Sequence, residues 1–456
     1  MNDKTLSSNA DFIRHEIAWF SRFLKRRLEL QSGETDCGEP LDEIVPPSLT
    51  HHHSSPYAKV VREFRIDAAE RLVLILSYLP HIKPDVLDPF FIENQSVRRR
   101  FTEFGGLTGL SHIGFLPTGE TAMFLLAGDN IEARLRFHHL FSHEHYFYTR
   151  NILRLDHKHQ GEPPLASALH LTPEYLERLT TGRAYHPPFS PEFPAQRLTT
   201  PYEWEDLVLD APTQEEVNDI IAWVRYQDIL MNDWMLRKRL KPGFRCLFYG
   251  PPGTGKTMTA SLLGKVTGLS VYQIDLSKVV SKYIGETEKN LASLFDYAQH
   301  RNWILFFDEA DSLFGKRTES RNANDRAANQ QVSYLLQRIE SFPGVVILAT
   351  NLRAHLDEAF ARRFQSMIYF PMPNLEQRQR LWDDNFKDKP YRLAANIDLH
   401  KMAHDYELSG GGIINVLRYA CLKAVLRNSP ELHLADLLYG VRKEFHKEGK
   451  SLKQLS

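Results

Sequence analysis

The octet GPPGTGKT at residues 250–257 is the most informative part of this 456-residue chain. It follows the apolar run CLFY and precedes a segment compatible with a helix, as the pattern G-x-x-x-x-G-K-[ST] requires. Gly253 and Gly255 permit a tight turn that presents N–H groups to a phosphate, Lys256 adds positive charge, and the Thr257 hydroxyl can ligate Mg²⁺. We therefore expect a phosphate-binding loop, the alternative being a structural glycine turn. The residues expected to contact the nucleotide here are Gly250, Pro251, Pro252, Gly253, Thr254, Gly255, Lys256, Thr257 and Met258.

A second motif, ILFFDEAD at residues 304–311, follows about fifty residues later. Its apolar residues predict a central strand that places Asp308 and Glu309 at its carboxyl end, where open parallel sheets bind ligands. Asp308 can hold Mg²⁺ or its water, and Glu309 can deprotonate the water that attacks a γ-phosphate. An isolated Asp-Glu pair after a strand is usually a solvated strand end. Together with the upstream loop it predicts ATP hydrolysis.

Outward from these motifs, the second half of the chain alternates short apolar runs with helix-length segments. CLFYG, SVYQID, WILFFDEAD and VVILATN have the character of buried parallel strands joined by crossover helices. Beyond Pro373 we expect helices only, which would form a small helical lid. The predicted fold is an α/β module, a parallel sheet with flanking helices plus this lid, preceded by a mixed α-rich N-terminal domain.

Breaks in composition suggest the domain boundaries. The stretch from Gln31 to Pro56 is polar and without periodicity, and five prolines lie between His186 and Pro201. The expected divisions are an amphipathic helix (1–30), a flexible linker (31–56), an N-terminal partner- or substrate-binding domain (57–186), a Pro-rich linker (187–201), the large α/β subdomain (202–373) and the small helical lid (374–456).

The first helix poses a question of its own. Ile13, Ile17, Phe20 and Leu24 recur at helical spacing, so residues 11–28 form an amphipathic helix. If the following linker is flexible, the apolar face can dock in a groove on a partner. The alternative is that it packs on its own domain or on a neighbouring subunit.

Composition excludes several classes of protein. With 42% hydrophobic and 25% charged residues the chain is neither disordered nor fibrous, and a net charge of −1 provides no global attraction to nucleic acid or to an acidic membrane. Cys37, Cys246 and Cys421 are too far apart for a disulfide framework or a CxxC metal knuckle. No apolar run approaches the ~20 residues of a membrane span. We expect a cytoplasmic location.

Two further patterns argue against additional chemistry. GFLPTGET at 114–121 repeats the glycine spacing of the first octet, but Glu120 would repel a phosphate, so we expect a turn that leads into a helix. In HHLFSHEH, His139 and His143 have the i, i+4 spacing of two ligands on one helical face, but ordinary surface or capping histidines are the favoured interpretation over zinc. An HExxH motif is absent from the sequence, which excludes that class of zinc protease.

From about 200 to 440, the chain resembles the protein-remodelling branch of the AAA+ ATPases. The residues that carry the resemblance are GPPGTGKT, FFDEAD, ILATN and LDEAFARRF. The resemblance implies that Asn351 senses the γ-phosphate and that Arg362 and Arg363 reach the nucleotide of the neighbouring subunit. LSGGGIIN is similar to the lid segment that closes over adenine and ribose, with Gly410 and Gly411 at the contact positions, although this sequence lacks the lid arginine of some branches.

SKYIGETEKN resembles the pore loop of the same family. The resemblance implies a ring, with a hexamer as the expected form. In this ring, copies of Tyr283 would grip an extended polypeptide, flanked by Lys282, Ile284 and Gly285. The alternative is an ordinary surface loop.

The N-terminal segments FTEFGG, GFLPTGETAMFLLAGD and EPPLASALHLTPEYL resemble the AAA+ ATPases associated with phage-tail-like contractile injection systems. The resulting hypothesis is a homo-oligomeric ring that uses ATP and Mg²⁺ to remodel a protein substrate. The N-terminal resemblance extends the expected substrates to components of a contractile injection particle. The alternative is a nucleotide-controlled assembly switch without threading. Nucleic-acid remodelling is disfavoured by the near-neutral charge.

Overall fold

The computed structural model divides the chain into two compact units, unit 1 (Met1–His186) and unit 2 (Pro187–Ser456). Among the described residues, none of the helices combines the length and hydropathy that crossing a bilayer requires. The structure describes residues 3–33, 39–50, 52–94, 98–156, 161–190, 193–275, 286–299, 301, 303–311, 333–351, 362–386, 389–447 and 449.

Unit 1 is built mainly from helices around one apolar core. The helices are α1 (Asp3–Gln31), α2 (Pro56–Glu63), α3 (Ala68–Ile82), α4 (Gly119–Ala127), α5 (Ile131–Phe137), α6 (Tyr146–Thr149) and α7 (Pro173–Thr181). Three antiparallel pairs of short strands join them: β1 (Glu93–Asn94) with β2 (Arg99–Arg100), β3 (Leu107–Thr108) with β4 (Phe115–Leu116), and β5 (Leu153–Asp156) with β6 (Ala168–Leu171).

Side-chain caps determine where several of these helices begin. The Asp67 side chain and Glu70 form a reciprocal capping box at the start of α3. Thr172 caps α7 with its hydroxyl, Pro173 occupies the first helical position, and Gly182 ends the helix in the left-handed conformation. The start and the end of α7 are therefore both set by local sequence signals.

The apolar face of α1 lies in the core of unit 1, so that of the two alternatives left open by the sequence the structure shows packing on the helix's own domain and not docking on a partner. Phe12, Trp19, Phe20 and Leu24 are buried there with the side chains of α2 and α3. Burial of such side chains contributes about 1.5–3 kcal/mol each, far more than an exposed helix would gain from its own backbone. The helix is thus a core element, and its face is not available for docking on a partner.

The expected flexible linker at 31–56 is also wrong where the structure describes it. Ile44 is buried, and its carbonyl accepts a hydrogen bond of 2.9 Å from the Trp19 indole N–H. The Pro47 carbonyl accepts from the Arg71 guanidinium at 3.0 Å. The polar composition of this segment predicted a solvated chain. Its backbone carbonyls instead accept hydrogen bonds from buried side-chain donors, and hydrophobic periodicity in the sequence cannot reveal such a role.

The histidine-rich segment 138–145 does not form the α-helix that would place His139 and His143 on one face. Residues 138–141 form a 3₁₀ turn, and His145 caps α6 with its ring. His139 and His143 therefore do not share one α-helical face. Within the described part of the chain, no group of three or more His, Cys, Asp or Glu side chains could hold a metal ion.

Unit 2 contains a six-stranded sheet with apolar cores on both faces. Its spatial order is β12–β8–β11–β10–β9–β7, parallel except for β7, which runs antiparallel to β9. Four strands match the expected apolar runs, and β12 is a fifth parallel strand. The strands are β7 (Gln196–Leu198), β8 (Phe244–Tyr249), β9 (Val271–Asp275), β10 (Ile304–Asp308), β11 (Val345–Thr350) and β12 (Ser366–Tyr369).

The expected Pro-rich linker at 187–201 belongs in part to this sheet. β7 adds to its edge, and the buried side chain of Phe193 packs edge-to-face on Tyr272 and Trp303. An edge strand tolerates prolines beside it because one side of its backbone has no ladder partner. The prolines therefore delimit a strand rather than exclude one.

Helices flank the sheet and form the lid that follows it. Helices of the sheet region are α8 (Ala211–Asp228), α9 (Lys256–Thr267) and α10 (Glu286–Gln299). The lid contains α11 (Leu375–Phe386), α12 (Leu399–Asp405), α13 (Gly410–Leu426) and α14 (Leu434–Lys447), around the buried Trp382. It is not purely helical, because the two-residue strands β13 (Arg392–Leu393) and β14 (Glu431–Leu432) pair in parallel. Such short strands leave no periodic signal.

Candidate nucleotide site

Three neighbouring strands end at the same edge of the unit 2 sheet. β11 lies between β8 and β10, and all three run parallel. The octet 250–257 follows β8, Asp308 ends β10, and Asn351 follows β11. Parallel order thus brings together motifs that are far apart in the sequence, at the edge where ligands bind in such sheets.

The loop at 250–257 has the backbone geometry that its glycines predict. Gly253 has φ +76° and Gly255 φ +103°, values that other residues adopt only with strain. Gly255 occupies the N-cap position of α9 and provides no side-chain cap. The first-turn N–H groups of α9 therefore donate to no capping side chain, and this positive helix end can bind an anion.

Lys256 lies at the centre of the loop. Its Nζ donates to the carbonyl oxygens of Gly250 and Pro251, each at 2.8 Å. Burial lowers its pKa to about 8, while the nearby carboxylates of Asp308 and Asp311 oppose this shift by favouring the charged form. The ammonium group is thus desolvated, and its hydrogen-bond acceptors among the described residues are neutral carbonyls, so a phosphate would be a stronger partner.

Asp308 and Glu309 differ in their surroundings. Asp308 Oδ2 accepts from the Gln273 amide at 2.9 Å, and its Oδ1 accepts from the Glu309 N–H at 3.0 Å. Glu309 is exposed and has φ +52°, a left-handed conformation that is uncommon for a residue other than glycine. The next residue, Ala310, donates its N–H to Ala349 on β11 at 2.9 Å. Backbone strain of this kind is concentrated at functional sites.

A third carboxylate of the second motif also lies at this edge. The Asp311 carboxylate accepts a hydrogen bond from the hydroxyl of Thr350, the last residue of β11. Asn351 comes directly after Thr350 and is exposed. Sequence reasoning did not assign a role to Asp311 or Gln273. The position of Asp311 within the motif could have suggested it, whereas the Gln273 contact depends on strand pairing.

The lid helix α13 contacts the loop directly. The Gly411 N–H donates to the Gly253 carbonyl at 3.0 Å. A Cβ on Gly253 would lie 2.6 Å from the hydroxyl of Ser409, the residue that caps α13. The N-terminus of α13 therefore packs against Gly253, a glycine of the loop that leads into α9. Gly410 and Gly411, expected at the adenosine, are here in contact with the phosphate-binding loop.

The arginine pair lies just before β12. Both Arg362 and Arg363 are exposed, and Arg363 forms an ion pair of 2.8 Å with Glu340 of the same chain. Exposure leaves the pair accessible to another molecule. Lys282, Tyr283, Ile284 and Gly285 lie outside the described residues.

The octet 114–121 in unit 1 forms a different structure, as expected. Thr118 caps α4 and accepts from the Thr121 N–H, and Glu120 forms an ion pair with Arg134. A Cβ on Gly119 would lie 2.9 Å from the Leu165 side chain. The predicted turn into a helix is confirmed.

The residues at the unit 2 edge fit a magnesium nucleotide. The uncapped start of α9 and the Lys256 ammonium match phosphate oxygens, and hydroxyl and carboxylate oxygens of the kind that Thr257 and Asp308 provide are the ligands that Mg²⁺ prefers. The arrangement can bind and polarise a triphosphate next to the exposed residue Glu309.

Comparison with protein families agrees with this geometry. Residues 246–372 match the model of the ATPase family associated with various cellular activities (AAA). This segment contains the loop, the second motif and four of the parallel strands, and it has the α/β fold of P-loop NTPases. It is similar to AAA ATPase domains.

Curated relatives match over a little less than half of the chain. Cell division protein C of Sulfolobus acidocaldarius is 34% identical over 221 residues, 45% of this chain and 59% of that protein. Katanin p60 ATPase-containing subunit A1 of Strongylocentrotus purpuratus is 32% identical over a segment that covers 45% of this chain and 42% of the katanin subunit. Proteasome-activating nucleotidase of Methanocella arvoryzae is 32% identical over a segment that covers 48% of this chain and 54% of that protein. The matches thus cover about half the length of these relatives.

Proposed function

We propose that the protein is an ATP hydrolase that assembles into a ring, with a hexamer as the expected form, and remodels a protein substrate in the cytoplasm. The observation that carries the proposal is the convergence of the 250–257 loop, the acidic end of β10, Asn351 and the start of α13 at one sheet edge. The family match of the domain supports ATP as the ligand.

In this proposal, each group at the edge has a distinct task. The loop N–H groups and Lys256 bind the phosphates, and Thr257 and Asp308 would hold Mg²⁺, which would supply positive charge next to the phosphoryl oxygens. Glu309 accepts a proton from the attacking water. Asn351 orients that water or the γ-phosphate, and Gly410 and Gly411 line the adenosine.

Arg362 and Arg363 act in trans in the proposed ring. Negative charge on the transferring phosphoryl group requires a cation, and an arginine from the neighbouring subunit makes hydrolysis depend on assembly. The exposure of both side chains supports this role. A mixture of Arg362→Ala/Arg363→Ala subunits with Lys256→Ala subunits should recover part of the wild-type rate, because an intact site then meets an intact arginine pair. Hydrolysis independent of protein concentration, with only monomer in light scattering, would contradict the ring.

The substrate is proposed to be a protein gripped by Tyr283, with Lys282, Ile284 and Gly285 beside it. The names of the relatives, a proteasome-activating nucleotidase and a katanin subunit, are consistent with protein remodelling. The resemblance of the N-terminal segments extends the proposal to components of a contractile injection particle.

The test combines a substrate trap with a loop variant. Glu309→Gln bound to ATP should retain its protein substrate for identification by mass spectrometry. Tyr283→Ala should then abolish remodelling of that substrate while ATP hydrolysis continues. Remodelling that persists in Tyr283→Ala would instead favour the nucleotide-controlled assembly switch.

A further inference from the structure

Unit 1 exposes a set of aliphatic side chains that its core does not use. Leu110 and Ile113, at the end of the β3–β4 hairpin, are fully and 93% exposed, and Leu107 on β3 is also exposed. Ile131 and Leu135, one turn apart on α5, are each 73% exposed. We call these five residues, together with Arg98, Arg99 and Arg100, the hairpin surface. Exposed apolar groups concentrated in this way mark interaction sites.

A continuous series of contacts joins the segments of the hairpin surface. The Arg100 guanidinium lies 4.5 Å from the Phe91 ring centroid, and Phe91 lies edge-on to Phe115 of β4 at 5.7 Å. At the other side of the hairpin, a Cβ on Gly105 would lie 2.9 Å from Cβ of Glu120, which forms an ion pair with Arg134 of α5. The arginines, the hairpin and α5 are therefore neighbours.

The core of unit 1 supports the hairpin from below. Phe115 stacks on Phe90 at 4.9 Å between centroids, and Phe90 and Phe124 both pack against Phe104. The aromatic side chains of the hairpin base point inward, so Leu110 and Ile113 at its end are presented outward by the fold. A preorganised apolar end lowers the ordering cost of binding.

We infer that the hairpin surface binds a protein partner through an apolar cleft bordered by carboxylates. Leu110 and Ile113 would fill the cleft, and Arg98 and Arg99 would pair with the carboxylates at its border. The inference names the chemistry of the partner in the proposed remodelling function and rests on that function. Binding itself requires no hydrolysis, so the two can fail separately.

The choice of cations favours a protein over a lipid surface. Residues 84–156 contain seven arginines and no lysine. Arginine is enriched at protein interfaces, where its planar group pairs with carboxylates in two parallel hydrogen bonds, and lysine is depleted there. Segments that bind membranes commonly anchor in the interface through Trp, Tyr or Phe, and residues 107–114 contain none of these three residue types.

The test begins with site-specific crosslinking in the cells in which the protein is native. A photoreactive residue at position 110 or 113 of the full chain should give an adduct with one protein, identified by mass spectrometry. The same residue at Val45, which is 69% exposed elsewhere in unit 1, should not. The identified protein is then purified, and its affinity for the full chain is measured without nucleotide.

Leu110→Ser/Ile113→Ser and Arg98→Glu/Arg99→Glu should each weaken that affinity at least ~10-fold, since they remove the apolar contact and reverse the charge. Val45→Ser and Arg150→Glu are the matched controls and should bind normally. All variants should keep the wild-type rate of ATP hydrolysis and the wild-type unfolding temperature.

The inference is overturned by a lack of adducts at both positions, by an adduct with a second copy of the chain, or by an identified protein that binds the variants as well as the wild type. It is also overturned if vesicles of phosphatidylcholine and phosphatidylglycerol bind the protein and Leu110→Ser/Ile113→Ser abolishes that binding. If the wild type binds its partner but hydrolyses no ATP, the proposed function fails and the hairpin surface stands.

Discussion

Two octets with the same glycine spacing, 250–257 in unit 2 and 114–121 in unit 1, have different structures and different capacities. In unit 2, helix α9 begins directly after Gly255, which has no side chain to cap it. In unit 1, helix α4 begins directly after Thr118, whose hydroxyl accepts a hydrogen bond from the Thr121 N–H. The donors that could bind a phosphate are thus open in one case and occupied in the other. Such a motif provides a phosphate-binding site only where the residue that precedes the helix leaves the first-turn N–H groups of that helix without a side-chain acceptor.

The charges differ in the same sense. Lys256 places an ammonium group among neutral carbonyls, whereas Glu120 places a carboxylate at the equivalent position and pairs with Arg134. Unit 2 therefore attracts an anion where unit 1 forms an internal ion pair. The variants below test this contrast, in order of decreasing effect.

Lys256→Ala should abolish nucleotide binding, because it removes the only side-chain cation of the 250–257 loop. Glu309→Gln should bind ATP and Mg²⁺ with little change but hydrolyse ATP at least ~10²-fold more slowly, the scale of a lost general base. Calorimetry and a phosphate-release assay measure the two effects. Lys265→Ala, on the exposed side of the same helix, is the control. Normal ATP affinity in Lys256→Ala would refute the site.

Phe20→Ala should lower the free energy of unfolding of unit 1 by about 3–5 kcal/mol, because the ring is fully buried in its core. ATP affinity should stay the same, since the nucleotide site is confined to unit 2. Denaturant unfolding and calorimetry on the same sample separate the two properties. Leu6→Ala, half exposed on the same helix, should cost far less. A loss below about 1 kcal/mol for Phe20→Ala would mean that α1 is not a core element.

Nucleotide affinity should decrease about 10-fold between pH 7 and pH 9, because Lys256 has a pKa of about 8 and must be protonated to bind phosphate. Stability has the opposite sign. The lowered pKa means that the unfolded chain binds more protons from about pH 8 to pH 10.5, so Lys256 adds to the free energy of unfolding as pH rises over this range. Calorimetry at several pH values measures the affinity. An affinity that is constant across the range would show that the lysine stays charged in the free protein.

Glu120→Lys completes the lysine motif in unit 1 but should create no second nucleotide site. Thr118 still occupies the Thr121 N–H, and the packing of Gly119 on Leu165 still closes the loop. The lost pair with Arg134 should cost about 1 kcal/mol or less, because both side chains are partly exposed. Fluorescent-nucleotide titration of Lys256→Ala with and without Glu120→Lys tests this. Binding that appears only in the double variant would show that the motif letters suffice.

Much of unit 2 was predictable because its signals are local in sequence. The glycines at 253 and 255 report the backbone geometry of the loop directly, and the lysine that follows reports its charge. The apolar run before each motif reports the strand that leads into it. The edge strand β7 and the pair β13–β14 were missed, because two or three residues give no periodicity and their partners lie far along the chain. The Gln273 contact with Asp308 was missed for the same reason.

In unit 1 the sequence by itself determined the helices, their caps and the absence of a phosphate-binding lysine. It did not determine whether the apolar face of α1 would meet a partner or its own core, because amphipathic periodicity specifies a buried face and not what covers it. Only the tertiary structure decided that question, and only it showed that Leu110 and Ile113 remain outside while the aromatic residues beside them are buried. Burial depends on contacts between segments distant in sequence, and these form only when the chain has folded.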